Sequence, residues 1–269
     1  SSLMGNGGND TFFANTKVPG VGVGSTFKGG SGSDSFEFNS YGLTSVALAS
    51  NADNDTIRLT GPTVETTIWG GKGEDSVQLR NTLTSSFIYA NSGNDTIDVT
   101  AAVQKSFLNG GQGDDRFSLT GTVTDSTVVG GSGADLISLS NAVVGTSISG
   151  ASAGGTTDAA NDTVVFNATG VSDVQVSFAE GADSLSFAKG AAGATIAAAG
   201  GNDTVIAALT LASSTLNAGA GDDSLSISVL SGSSVRGGSG SDSIQLAKAV
   251  SSQVYVNQGT DYITATGDA

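Results

Sequence analysis

The sequence contains neither cysteine nor histidine. Without cysteine there can be no disulfide framework and no thiolate metal site. Without histidine, Ser-His-Asp and Cys-His catalysis are excluded, as are the imidazole ligands that zinc and copper centres favour. Positive charge is scarce: 10 basic residues face 25 acidic ones, a formal net charge of −15. A chain so acidic is a poor partner for nucleic acid and a good one for cations. No apolar run approaches the ~18 residues of a membrane-spanning helix, so no membrane span is expected. Signal peptide and initiating Met are both missing and Ser1 falls partway into a repeat, so the chain reads as a segment of a longer protein. Charged residues make up only 13% and glycine 40 of 269 positions, a composition that alone would suit a disordered linker. Regularly spaced Val, Ile, Leu and Phe argue against disorder.

The spacing is a repeat. Aligning on one aspartate gives Asp10, Asp34, Asp55, Asp75, Asp95, Asp115, Asp135, Asp162, Asp183, Asp203, Asp223, Asp242 and Asp261, mostly 19–21 residues apart, with 24 at the first interval and 27 between Asp135 and Asp162. Two and four residues after it stand apolar columns such as Phe36/Phe38, Ile57/Leu59, Val77/Leu79 and Ile137/Leu139, with mostly polar residues between. Such alternation predicts a strand with one buried face. Seven residues before the aspartate, Phe27, Leu48, Ile68, Ile88, Leu108 and Val128 begin a third column that predicts a second short strand. A weaker column about eight residues after it (Leu83, Val103, Val123, Val143, Leu211, Val250) turns inward at the opposite bend. Strands this short bury nothing alone. Stacked at ~4.8 Å they form a continuous core and a rod on the order of 60 Å long. The expected fold is all-β: a right-handed parallel β-solenoid of about 13 coils of ~20 residues, two short strands per coil.

Just before the aspartate, five coils share one pattern: Gly29-Gly30-Ser31-Gly32-Ser33-Asp34 and its counterparts ending at Asp75, Asp115, Asp135 and Asp242. Glycine permits positive φ and lets carbonyl oxygens turn inward, here at Gly30, Gly32, Gly71, Gly73, Gly111, Gly113, Gly131, Gly133, Gly238 and Gly240. Carbonyls and carboxylates from adjacent turns are the hard oxygen ligands that Ca²⁺ takes in sets of 6–8. Without a cation, carboxylates one strand spacing apart repel by roughly 0.8 kcal/mol per pair in water and by several-fold more near a protein surface. With the Asp-x-apolar tail the pattern resembles the RTX nonapeptide G-G-x-G-x-D-x-U-x, the hemolysin-type calcium-binding repeat. The resemblance covers essentially the whole chain. It implies multiple Ca²⁺ ions between consecutive turns, with ligands at the five strict coils and at Asp10, Asp55, Asp95, Asp162, Asp183, Asp203, Asp223 and Asp261. It also implies secretion to an extracellular or cell-surface destination.

The sequence departs from the family in carrying the motif on one edge only. Thr, Ser and Asn are expected to satisfy the other edge by hydrogen bonds. Gly-Gly is lost before Asp55, Asp162 and Asp183, and coils at Asp10 and Asp261 lie near the ends, so sites there can be empty. A single repeat domain over 1–269 is expected. An insertion at about 150–158 bulges from the calcium edge and separates an N-terminal block (1–149) from a more degenerate C-terminal block (159–269).

Catalysis finds little support: the acid pairs Glu74/Asp75, Asp114/Asp115 and Asp222/Asp223 all lie in the metal turns, and the outward basic residues form no cluster. Trp69 has two readings, an exposed sugar platform or a packing residue. No column is uniformly Thr, which disfavours ice binding. The sequence therefore points to a non-enzymatic, calcium-binding structural module of a bacterial surface layer, filament or adhesin, with copies of itself or cell-surface glycans as further partners. The alternative is the calcium-folding accessory block of a larger secreted toxin or hydrolase.

Overall fold

The computed structural model describes residues 1–15, 23–39, 42–151 and 158–267. Among them there is no helix, hence none long and apolar enough to cross a membrane. Among the described residues the chain winds through two parallel sheets of 13 and 21 strands. Strands in the first sheet recur once per circuit, so thirteen of them bound twelve turns of a β-solenoid.

One coil shows the construction. Thr67–Lys72 lies in the first sheet, and Ser76–Leu79 and Leu83–Thr84 in the second. The next coil repeats them in register: Ile88 opposite Ile68, Ile97 opposite Val77, Val99 opposite Leu79 and Val103 opposite Leu83. All eight side chains are buried in one core. Burial of each is worth about 1.5–3 kcal/mol, realised only through the neighbouring coil. Within that core Phe166 and Phe187 stack at 4.7 Å.

Two details differ from expectation. Between Thr26 and Ala197 a coil has three strands rather than two, because the inward bend residue forms a short ladder of its own. From Thr204 on, the second-sheet strands run through the bend (Thr204–Ala212, Ser224–Ser231, Ser243–Val250) and a coil has the two strands expected. The Gly-Gly pair lies inside the first-sheet strand, as Gly70 and Gly71 do in Thr67–Lys72. The second difference is Val250, which is 43% exposed rather than inward-facing. In the shortened coils after Asp223 a one-residue deletion shifts the register: Leu230 takes the inward place opposite Leu211, and Val250 pairs with Ser231. The seven-residue insertion leaves the stack in order, since Val176 still pairs with Ile148. Its residues 152–157 lie outside the described residues.

Candidate metal-binding edge

The aligned aspartates form one continuous ladder. Each backbone N–H donates to Oδ1 of the aspartate in the following coil, from Asp10 N to Asp34 (2.8 Å) through Asp75 N to Asp95 (2.6 Å) and Asp95 N to Asp115 (2.8 Å), ending with Asp242 N to Asp261 (3.0 Å). The insertion does not interrupt it: Asp135 N reaches Asp162 at 2.9 Å. Asp34 through Asp242 are all buried.

That ladder uses one carboxylate oxygen. The other, Oδ2, is buried without a hydrogen-bond partner in Asp10, Asp34, Asp55, Asp75, Asp95, Asp115, Asp135, Asp183, Asp203, Asp223 and Asp242. A buried, unpartnered anionic oxygen is costly, and proteins avoid it unless a proton or a cation completes it. Protonation is made easier accordingly. Burial, with a smaller contribution from neighbouring carboxylates, pushes Asp75, Asp95, Asp183 and Asp203 up to about 7 and Asp135 to about 8, against the opposing effect of the ladder bond. Burial likewise raises Asp115 to about 7, with Asp114 adding to it.

Around Oδ2 the glycines leave room. A side chain added at Gly70 would place its Cβ 2.5 Å from Asp75 Oδ2 and 2.6 Å from the Ala90 carbonyl of the next coil. At Gly29, Gly110 and Gly130 the same collision involves Asp34, Asp115 and Asp135 with the following coil's carbonyl. The first glycine of the motif thus preserves a cradle where a carboxylate and a carbonyl oxygen converge. These are oxygen donors of the kind Ca²⁺ selects. Ser50, Ala90, Phe178, Ala198 and Ala218 stand at the equivalent position before Asp55, Asp95, Asp183, Asp203 and Asp223, so those coils keep the carboxylate but fill part of the cradle. No group of three or more acidic side chains converges among the described residues. Carboxylates alone do not make a coordination sphere here, and backbone carbonyls and water are the further oxygen donors open to a cation.

In several coils the second or fourth position keeps its positive φ even where glycine is lost. Gly111 (φ 116°) stacks on the Asn91 carbonyl, and Asn91 itself adopts φ 83°. Asn51 and Asp53 do the same in the coil of Asp55. Asn and Asp tolerate this region better than other side chains.

A second ladder was not anticipated from sequence. At the position before the aligned aspartate, Asn9, Asn54, Asn94, Asp114, Asn161, Asn202 and Asp222 each accept from a backbone N–H of the following coil, as in Glu74 N to Asn54 Oδ1 (3.0 Å) and Ala134 N to Asp114 Oδ1 (2.8 Å). The recurrence of Asn or Asp in that column was the available signal.

The opposite edge is satisfied as expected, and more regularly. Thr66, Ser86, Ser106 and Ser126 are buried. Each hydroxyl donates to a carbonyl two residues back and accepts the N–H of the preceding coil's equivalent residue, as in Ser86 N to Ser106 Oγ (3.2 Å) and Ser106 Oγ to the Gln104 carbonyl (2.8 Å). Ser214 and Ser233 continue the pattern later in the chain.

A sequence-family model of the RTX calcium-binding nonapeptide repeat (four copies) matches residues 2–16 and 85–101. These segments contain Asp10 and Asp95, whose turns read Asn6-Gly7-Gly8-Asn9-Asp10 and Asn91-Ser92-Gly93-Asn94-Asp95. No curated protein and no solved structure matches the chain.

Proposed function

The chain carries RTX calcium-binding nonapeptide repeats, and from that premise we propose that it is a non-catalytic structural module of a secreted bacterial cell-surface protein, wound and stiffened by calcium along one edge. The observation that carries this reading is the contrast between the two edges. Both must satisfy a column of backbone N–H groups. The Ser/Thr edge does so with neutral hydroxyls, each ladder hydroxyl finding both a donor and an acceptor, and only the uncharged Thr63 Oγ1 is left over among the described residues there. The Asp edge does the same work with charged groups and leaves a buried carboxylate oxygen unpartnered in every coil from Asp10 to Asp242 except that of Asp162. If hydrogen bonding were the whole purpose, serine would serve both edges and spare the chain its charge.

Asp34, Asp75, Asp115 and Asp135, each with a glycine cradle that also meets the next coil's carbonyl, fit a calcium ion best; Asp10 shares that arrangement at the chain's first coil, and at Asp242 Gly237 meets the carboxylate. Bound there, Ca²⁺ would neutralise neighbouring carboxylates and tie consecutive coils together. The chain's own contribution is to hold each Oδ1 in the ladder so that Oδ2 keeps a fixed direction. Such a rod suits a surface layer, filament or adhesin. An accessory folding block beside a toxin or hydrolase domain would need the same calcium but no lateral order. Electron microscopy of the calcium-loaded chain tests the difference: ordered lattices or filaments that dissolve in chelator support the scaffold role, and persistent monodisperse rods oppose it.

A further inference from the structure

The outward face of the first sheet is mostly small and polar, with residues such as Thr26, Ala49, Thr127, Ser149, Ser177 and Thr195 in its two outward columns. Three consecutive coils break the pattern. Trp69, Phe87, Tyr89 and Phe107 stand side by side there: Tyr89 is in register with Trp69, and Phe87 with Phe107. Trp69 is 37% and Phe87 46% exposed. The Phe87 and Tyr89 rings are nearly coplanar in orientation (3° between planes, centroids 6.4 Å apart), and Tyr89 lies 5.5 Å from Phe107. Packing does not account for them, because the core of these coils is already filled by Ile68, Ile88 and Leu108 on the other face.

Amides flank the rings. Tyr89, Asn91, Ser92, Asn109, Gly111 and Gln112 line a shallow depression of about 330 Å³. Asn109 Oδ1 is buried in the structure without a hydrogen-bond partner. In a chain of net charge −15, the outward positions of these three strands (Thr67–Lys72, Phe87–Ser92, Phe107–Gln112) carry no carboxylate. Exposed aromatic surface beside unsatisfied polar groups marks a binding site rather than a solvated face.

We propose that this patch binds a neutral β-linked polysaccharide laid along the solenoid axis. A pyranose ring offers an apolar C–H face for stacking and hydroxyls around its rim for Asn91, Asn109 and Gln112. The rings recur with the coil, every ~4.8 Å, a spacing comparable with one extended β-linked sugar, so successive sugars meet successive coils. A polyanion would be repelled by the rest of the rod. A second copy of the chain would bring the same acidic edge with it. The proposal rests on the coil stacking and the outward columns, so it stands apart from the number of calcium ions bound.

Trp69 is the chain's sole tryptophan, so its fluorescence reports from the patch itself. The test titrates the calcium-loaded chain with cellohexaose and, separately, chitohexaose. A saturable change in Trp69 emission with at least one of them is expected, with binding at least tenfold weaker in Tyr89→Ser and Phe107→Thr and unchanged in Tyr255→Ser. Ser and Thr already occupy these columns in other coils, and circular dichroism in calcium checks that each variant is wound. A flat titration with both sugars overturns the proposal, as does unaltered affinity in Tyr89→Ser. Sedimentation as a dimer that Tyr89→Ser disperses also overturns it, by assigning the face to a second copy.

Discussion

Replacing Asp115 by Asn should have opposite consequences with and without calcium. Asn keeps an Oδ1 to accept the Asp95 N–H, so the ladder bond of 2.8 Å survives. What changes is the unpartnered oxygen, which becomes an NH₂ facing the space that also contains the Gly130 carbonyl. In the metal-free chain, Asp115 titrates at about 7 when wound, against 3.8 in the ordinary carboxyl range. A group raised on folding contributes its full stability below the lower value and loses it as pH rises through the higher one. At pH 8 the ionised carboxylate therefore costs the metal-free coil up to a few kcal/mol: about three pH units at 1.36 kcal/mol each set the ceiling, and solvent screening lowers it. D115N removes that cost. In chelator, acidification from pH 8 to pH 5 should increase β-structure by circular dichroism, and D115N should move the midpoint of that gain to higher pH. In calcium the same variant loses a ligand. It should bind at least tenfold more weakly at that site, which is about 1.4 kcal/mol of calcium-dependent stability. Equal destabilisation of D115N in chelator and in calcium would show that the carboxylate serves the ladder alone, and would refute this reasoning.

Other perturbations separate the edge from the scaffold. Gly70→Ala should lower the calcium stoichiometry measured by isothermal titration while the chain stays wound, since Ala90 and Ala198 already occupy that column, with a local shift relieving the contact with the Ala90 carbonyl. Gly111→Asn should cost less than Gly111→Val in urea unfolding with calcium present, because Asn91 already adopts a positive φ (83°) in that column whereas a β-branched residue is strained by about 1–3 kcal/mol. Ser106→Ala deprives Ser86 N–H of its acceptor and should destabilise by about 1–3 kcal/mol with calcium affinity unchanged. Leu108→Ala empties a fully buried core site and should cost about 2–5 kcal/mol by urea denaturation, again without altering calcium affinity.

The parts of this fold legible in the sequence are those where one residue type is required coil after coil. The aspartate column was legible because few side chains can accept a neighbouring N–H there and still leave an oxygen over. Inward columns such as Ile68, Ile88 and Leu108 were legible because a period-2 pattern repeated at fixed distance admits one face only. The serine column was expected only in outline: Ser86, Ser106 and Ser126 read as ordinary polar bend residues until the ladder supplies each with a donor and an acceptor. The ladder through Asn54, Asn94 and Asp114 escaped notice because Glu74 and Ala134 interrupt its column, yet their backbone N–H groups need no particular side chain to donate. Val250 was misplaced because counting from the aspartate cannot see a deletion that register pairing absorbs. Trp69 gave no sign of its neighbours. Tyr89 and Phe107 are 20 and 38 residues away in sequence; Tyr89 comes into register with Trp69, and Phe107 beside Tyr89, only because the coils stack.

Anomalous diffraction from crystals grown in calcium would examine the edge itself. A row of ions should follow the solenoid axis, with Oδ2 of Asp34, Asp75, Asp115, Asp135 and Asp242 each within ~2.3–2.6 Å of a metal and the Oδ1 ladder still in place. Crystals of the wound chain with no metal along this edge, and with Oδ2 meeting only protein or water, would contradict the account.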